Sequence, residues 1–216
     1  MIYTSNYKNF NSDLLKGVSI SFDKGKDANF KKSYYLDLAP KKTFWRMWKN
    51  NIGIIPELEN NKYYIEEYYK KVLSKLNPEK VYRDLDNSFL LCYEDKDKFC
   101  HRHIVSAWLE LFLNVNIKEV KVECMHIEEQ EKPEYIKEVL ESVIKENTNM
   151  RGFNSLRALY LFLESEKFET EANLKEENSN KSFDHLRQAA AYLRSEADMA
   201  ESEYNNKKVK KLIKDE

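Results

Sequence analysis

The chain has 216 residues, and 36 Lys/Arg against 37 Asp/Glu leave a formal net charge of -1, which excludes a global electrostatic grip on nucleic acid or membrane. A 42% hydrophobic content with 14 Tyr, 11 Phe and 3 Trp supplies a core and excludes a wholly disordered chain. The four glycines, Gly17, Gly25, Gly53 and Gly152, lie too far apart for G-x-G-x-x-G or a Walker loop, so phosphate binding on a standard glycine cradle is excluded.

Strand-like runs open the chain at Ile2–Thr4 and Val18–Phe22. Lys41–Lys49 then interleaves basic and aromatic residues, a pattern that can stack bases. Phe44 and Trp48 are also four apart with Met47 beside them, and core packing of an amphipathic helix is the simpler reading. Ile65, Tyr68, Tyr69, Val72, Leu73 and Leu76 repeat at helical spacing, and Asn77-Pro78 suits a turn into a new helix. Ser88–Tyr93 is apolar without alternation, as expected of a strand covered on both faces. Ile104, Val105, Trp108, Leu111 and Phe112 form another helical stripe, and Ile117–Val122 another strand. Strand–helix alternation predicts an α/β sandwich with a mainly parallel sheet over residues 1–124.

A polar stretch, His126–Pro133, reads as a linker, and the charge changes sign there. Residues 1–124 carry 21 Lys/Arg and 17 Asp/Glu, whereas 125–216 carry 15 and 20. No strand pattern follows, so 125–216 is predicted to be an all-helical extension containing an antiparallel helical hairpin. Ile136, Val139, Leu140, Val143 and Ile144 mark one helix, and Asn154-Ser155 would cap the next, with Leu156, Tyr160 and Leu163 on one face. After a turn at Asn178–Ser182, Leu186, Ala190, Leu193, Ala197, Ala200 and Tyr204 form a heptad seam whose alanines permit close helix approach. That seam serves either the hairpin itself or a homodimer or partner interface. The basic tail Lys207–Lys211 ends in Asp215-Glu216 and reads as a solvated helix end rather than a nucleic-acid grip.

No apolar run reaches the length of a membrane span, and MIYTSNYKNF has no basic head followed by an apolar segment. Three cysteines do not make a disulfide framework. The expectation is a cytoplasmic protein with reduced thiols.

Reactive side chains concentrate in Leu91-Cys92-Tyr93-Glu94 and Phe99-Cys100-His101-Arg102-His103, where a buried strand ends and a helix begins. In a parallel α/β sheet that edge binds ligands. The free N–H groups and dipole of the helix start favour a thiolate or anion there, so Cys100 is the candidate activated thiol and His101 the acid/base. Arg102 offers an anion clamp, and Glu94 an orienter or general base. Cys92, inside an apolar strand, reads as a small core residue. The spacing argues against zinc, because the seven-residue gap between Cys92 and Cys100 lacks the usual short knuckle. It also lacks the cysteine-to-arginine interval of a phosphatase loop.

Leu90-Leu91-Cys92-Tyr93-Glu94 followed by Phe99-Cys100-His101-Arg102-His103-Ile104-Val105, with Ile2-Tyr3-Thr4, Leu38-Ala39-Pro40 and Leu76–Val81, resembles the domain-of-unknown-function 488 family, which includes the YeaO-like proteins. The resemblance spans about residues 1–123 and implies a compact Rossmann-like α/β domain with no established activity. Where relatives tend to carry an Arg-Gly turn, this chain reads Asp23-Lys24-Gly25, so Lys24 would stand in as anion ligand. Two function classes remain open. One is a small enzyme or enzyme-derived domain binding an anionic, nucleotide-like ligand through Cys100, His101, Arg102, Lys24 and Glu94, with Thr4 and Tyr7 facing the same pocket. The other is a non-enzymatic binding or regulatory module whose C-terminal helices contact another protein.

Overall fold

In the computed structural model, which describes residues 1–26, 28, 30, 31, 33–179 and 182–214, the expected strands assemble into one mainly parallel sheet. It comprises β1 (Tyr3–Asn6), β2 (Phe10–Asn11), β3 (Gly17–Ser19), β4 (Phe89–Cys92), β5 (Lys118–Glu123) and β6 (His126–Gln130). β1 pairs in parallel with β4 and β5, and β4 pairs in parallel with β3. β2 takes over beside β5 where β1 leaves off: Tyr3 faces Lys118 and Phe10 faces Val122, with the intervening loop absorbing the change of register. Every residue of β4 is buried, as its unbroken apolar run requires of a strand flanked on both sides. The Rossmann-like α/β class is as expected.

Seven helices stand among the described residues. They are α1 (Lys42–Asn50), α2 (Glu57–Lys71), α3 (Pro78–Asp84), α4 (His101–Leu113), α5 (Tyr135–Asn147), α6 (Leu156–Ser179) and α7 (Asp184–Lys214). α1 turns Phe44 and Trp48 into the core, as their helical spacing predicts. Trp48 Nε1 donates to Asn61 Oδ1 at 2.9 Å, and Asn60 Nδ2 donates to the Trp48 carbonyl at 2.9 Å, which locks α1 to α2. Asn77 caps α3 by accepting from the Lys80 N–H at 2.8 Å, with Pro78 in the first turn. α4 connects β4 to β5 and is buried without interruption from His101 to Glu110, the mark of a helix enclosed on all sides.

The boundary at residue 124 is not where the chain divides. One compact unit runs from Met1 to Asn147 and the other from Thr148 to Glu216. The stretch expected to be a linker contains β6, which pairs antiparallel with β5 from His126↔Glu123 to Gln130↔Glu119. β6 is polar and exposed along most of its length, so no apolar alternation announced it. Lys132 then inserts its ammonium between α4 and β5, donating to Glu110 Oε1 at 2.6 Å, Ser106 Oγ at 3.0 Å and the Ile117 carbonyl at 2.7 Å. Lys137 of α5 reaches Glu110 Oε2 at 3.0 Å. These bonds hold α5 to the first unit; burial alone would raise the Glu110 carboxyl, but the two lysines outweigh it and hold the group below its ordinary value.

Within the second unit α6 and α7 form the expected antiparallel hairpin. Glu201 accepts from the backbone N–H groups of Asn154 at 2.9 Å and Ser155 at 2.8 Å at the start of α6, while Arg187 near the start of α7 donates to Glu176 at 2.7 Å. Ser155 Oγ accepts from the Ala158 N–H, so the expected cap forms. Leu186, Ala190 and Ala197 are buried and Leu193, Ala200 and Tyr204 half-buried, which places the seam inside the hairpin. The expected turn at Asn178–Ser182 lies partly outside the described residues, as do Asp215 and Glu216. Among the described residues no helix is long and apolar enough to cross a membrane.

Candidate functional site

β4 ends at Cys92, β3 runs out through Ile20 and Ser21, and α4 starts directly after Cys100, so three chain segments converge at the C-terminal edge of the sheet. There they border a cavity of about 300 Å³. Cys92, Cys100 and His101 line it together, facing Trp45, Trp48, Tyr64 and Phe99, with Lys49 and Glu94 also lining it.

The imidazole of His101 is fixed at both ends. Nε2 lies 3.1 Å from the Ile20 carbonyl, which can only accept, so Nε2 carries the proton. In the neutral imidazole Nδ1 then offers a lone pair, 3.4 Å from Cys92 Sγ and 4.0 Å from Cys100 Sγ. The Ser21 hydroxyl lies 3.7 Å from Cys92 Sγ. The three donor atoms Cys92 Sγ, Cys100 Sγ and His101 Nδ1 fall within 4.8 Å of one another, a set of soft and borderline ligands able to hold a metal.

The two thiols take opposite roles to those expected. Burial disfavours the Cys92 thiolate, but hydrogen bonding with Cys100, the positive charge of Arg102, the Ser21 hydroxyl and the Tyr93 N–H outweigh it and hold this thiol below its ordinary value. Burial also acts on Cys100, where the bond to Cys92 and that residue's charge add to it and keep Cys100 neutral. Cys100 occupies the N-cap position of α4 yet makes no capping bond with its side chain. The helix start thus does not activate it, because its sulfur turns to its neighbour thiol instead of to the free N–H groups.

Arg102, expected as an anion clamp, is fully enclosed. Its Nε lies 3.2 Å from both oxygens of Glu119 and Nη2 lies 3.0 Å from Oε1, while Nη1 donates to the Glu94 carbonyl at 2.7 Å and Nη2 to the Asp95 carbonyl at 3.2 Å. It braces the loop after β4 and has no face left for a ligand. Thr4 is buried in β1, its hydroxyl near the Lys118 carbonyl at 3.4 Å, and is not in the cavity wall. Tyr7 stands behind the wall, its hydroxyl 2.6 Å from Ser19 Oγ and 3.1 Å from Ser21 Oγ, and burial pushes its phenol up to about 12. Lys24 sits in a turn at φ 61 with its ammonium 4.4 Å from the centre of the Tyr34 ring, away from the cavity lining. The adjoining Gly25 at φ 60 has the Tyr7 ring where a Cβ would stand, so the turn depends on glycine. Glu94 does line the cavity, but its carboxylate pairs with Lys49 at 3.7 Å and makes no bond to His101.

Lys49, Trp45 and Ser21 are among the lining residues that the sequence did not single out for the site. The signal available was the basic-aromatic run Lys41–Lys49, which buries Phe44 and Trp48 and brings Trp45, Trp48 and Lys49 to the cavity wall. No family model, curated protein or solved structure matches the chain.

Proposed function

We propose that the first unit is a small enzyme-type domain binding a planar, anionic ligand of nucleotide-like chemistry in the cavity at the ends of β3 and β4. One observation carries the reading: a cavity walled by aromatic rings has a thiol–imidazole pair on one side and a single lysine, Lys49, among its lining residues. Aromatic walls suit a flat ring, and Lys49 replaces Arg102 as the cationic contact. Lys49 is part-exposed and already lies over the Trp48 ring at 5.0 Å, so a bound anion would meet charge and ring together. The resemblance of Leu90–Glu94 and Phe99–Val105 to the domain-of-unknown-function 488 family supports interest in the same residues without naming a reaction. The alternative, a module that binds protein through its C-terminal helices, loses its main argument because the hairpin uses the heptad seam internally.

The test is calorimetry and tryptophan fluorescence with nucleoside monophosphates and their parent nucleosides. A monophosphate should bind and quench the emission of Trp45 and Trp48. Lys49→Ala should weaken it at least tenfold while shifting unfolding free energy by no more than about 1 kcal/mol, because an exposed pair contributes little. Absence of binding across the panel, or equal binding by the Lys49→Ala protein, would overturn the reading.

A further inference from the structure

The geometry around His101 points to something the spacing of the cysteines argued against. Zinc–sulfur bonds of about 2.3 Å and zinc–nitrogen bonds of about 2.0–2.1 Å put sulfur and nitrogen roughly 3.6 Å apart in a tetrahedral site. The two sulfur–nitrogen separations here, 3.4 Å and 4.0 Å, straddle that edge length. A knuckle of closely spaced cysteines is unnecessary, because β4 and α4 bring Cys92 beside Cys100 across the intervening loop. That loop is tied down by Arg102, which grips the carbonyls of Glu94 and Asp95.

The histidine is also prepared as a ligand. Its Nε2–H is held by the Ile20 carbonyl, the outer contact that ligating imidazoles use to fix tautomer and ring orientation. Nδ1 consequently points an unshared pair at the two sulfurs. All three donors are buried, and all three border the cavity.

We infer that Cys92, Cys100 and His101 form a three-ligand site for a zinc-class divalent metal, with the fourth position facing the cavity. A divalent ion entering the site displaces the thiol protons to solvent, and the resulting two thiolates with one neutral imidazole balance its charge. Three protein ligands with one open position is the pattern of a catalytic zinc site rather than a structural one. The inference shares its cavity with the proposed ligand site, and it stands or falls on metal binding alone.

The experiment uses the full chain, reduced and stripped with a chelator, then titrated with cobalt(II) under argon. The expected result is a one-equivalent endpoint with intense tetrahedral d–d absorption and thiolate-to-cobalt charge transfer, both lost on adding zinc. Cys92→Ser, Cys100→Ser and His101→Gln should each lower cobalt affinity at least tenfold, whereas Cys124→Ser should not. Should a variant fail to fold, the unaltered protein still decides the matter: one equivalent of zinc should protect Cys92 and Cys100, and not Cys124, from a thiol reagent, as mapped by mass spectrometry. A weak octahedral cobalt spectrum without thiolate charge transfer, or equal modification of Cys92 and Cys100 with and without zinc, would overturn the inference. Nucleotide binding by the metal-free protein is scored separately, so either proposal can fail without the other.

Discussion

Adjacent residues at the start of α4 serve two buried polar clusters of opposite character. Arg102 and His103 turn to Glu119, where the guanidinium takes a two-oxygen grip and the imidazole Nε2 stands 3.3 Å from Oε2, with the side chains of Arg102 and Glu119 wholly enclosed. His101 turns the other way, to two thiols and a cavity. The first cluster spends its charges on itself and on two loop carbonyls. In the second, a lone pair and two sulfurs face space. A charged residue in a promising motif is therefore a ligand candidate only if no buried partner claims it, and Glu119 claims Arg102.

Breaking the closed cluster should have the largest effect. Arg102→Met leaves the Glu119 carboxylate buried without its partner and should cost about 3–5 kcal/mol in urea unfolding, with most of that recovered when Glu119→Leu is added. If Arg102 were instead a ligand clamp, Arg102→Met would keep its stability and lose only binding.

The same cluster should govern acid stability. Burial alone would raise the Glu119 carboxyl, but His103 and the charge and hydrogen bonds of Arg102 outweigh it and hold the group at about 2, against an ordinary 4.5. A depressed carboxyl contributes its full stability above its unfolded value and loses it as pH falls toward the folded one. Unfolding free energy should therefore drop between about pH 4.5 and about pH 2, and Glu119→Gln should flatten that limb. An unchanged acid limb in the variant would mean that Glu119 is not the controlling group.

The open cluster should respond more gently and in chemistry rather than stability. In chelator-treated protein, iodoacetamide should modify exposed Cys124 first, Cys92 next through the cavity and Cys100 last, since Cys92 is the thiol held toward ionisation. Mass mapping over time reads the order. Modification of Cys100 before Cys92 would restore the helix-start activation that the sequence suggested.

Much of this architecture is legible in the residues. The apolar run Phe89–Cys92 marks a central strand, Phe44 and Trp48 mark a packed helix face, and the seam through Ala190 and Ala197 marks a close hairpin. β2 is two residues long and β6 is polar and exposed, so neither carries periodicity from which to infer it. The division after Asn147 escaped for a related reason. α5 joins the first unit by packing on α2 and α4 and through Lys132 and Lys137 meeting Glu110, across chain separations that no local pattern records.

Local patterning by itself determined the apolar strands and the helices, because burying apolar faces of period 2 or 3.6 is a short-range requirement. It also determined that reactive side chains gather where β4 gives way to α4. Tertiary structure alone decided which of them face the cavity. Side-chain direction, charge pairing and thiol ionisation depend on partners such as Glu119, Ile20 and Ser21, brought in from other strands and loops. In a low-dielectric interior a single such partner reverses the role of its neighbour.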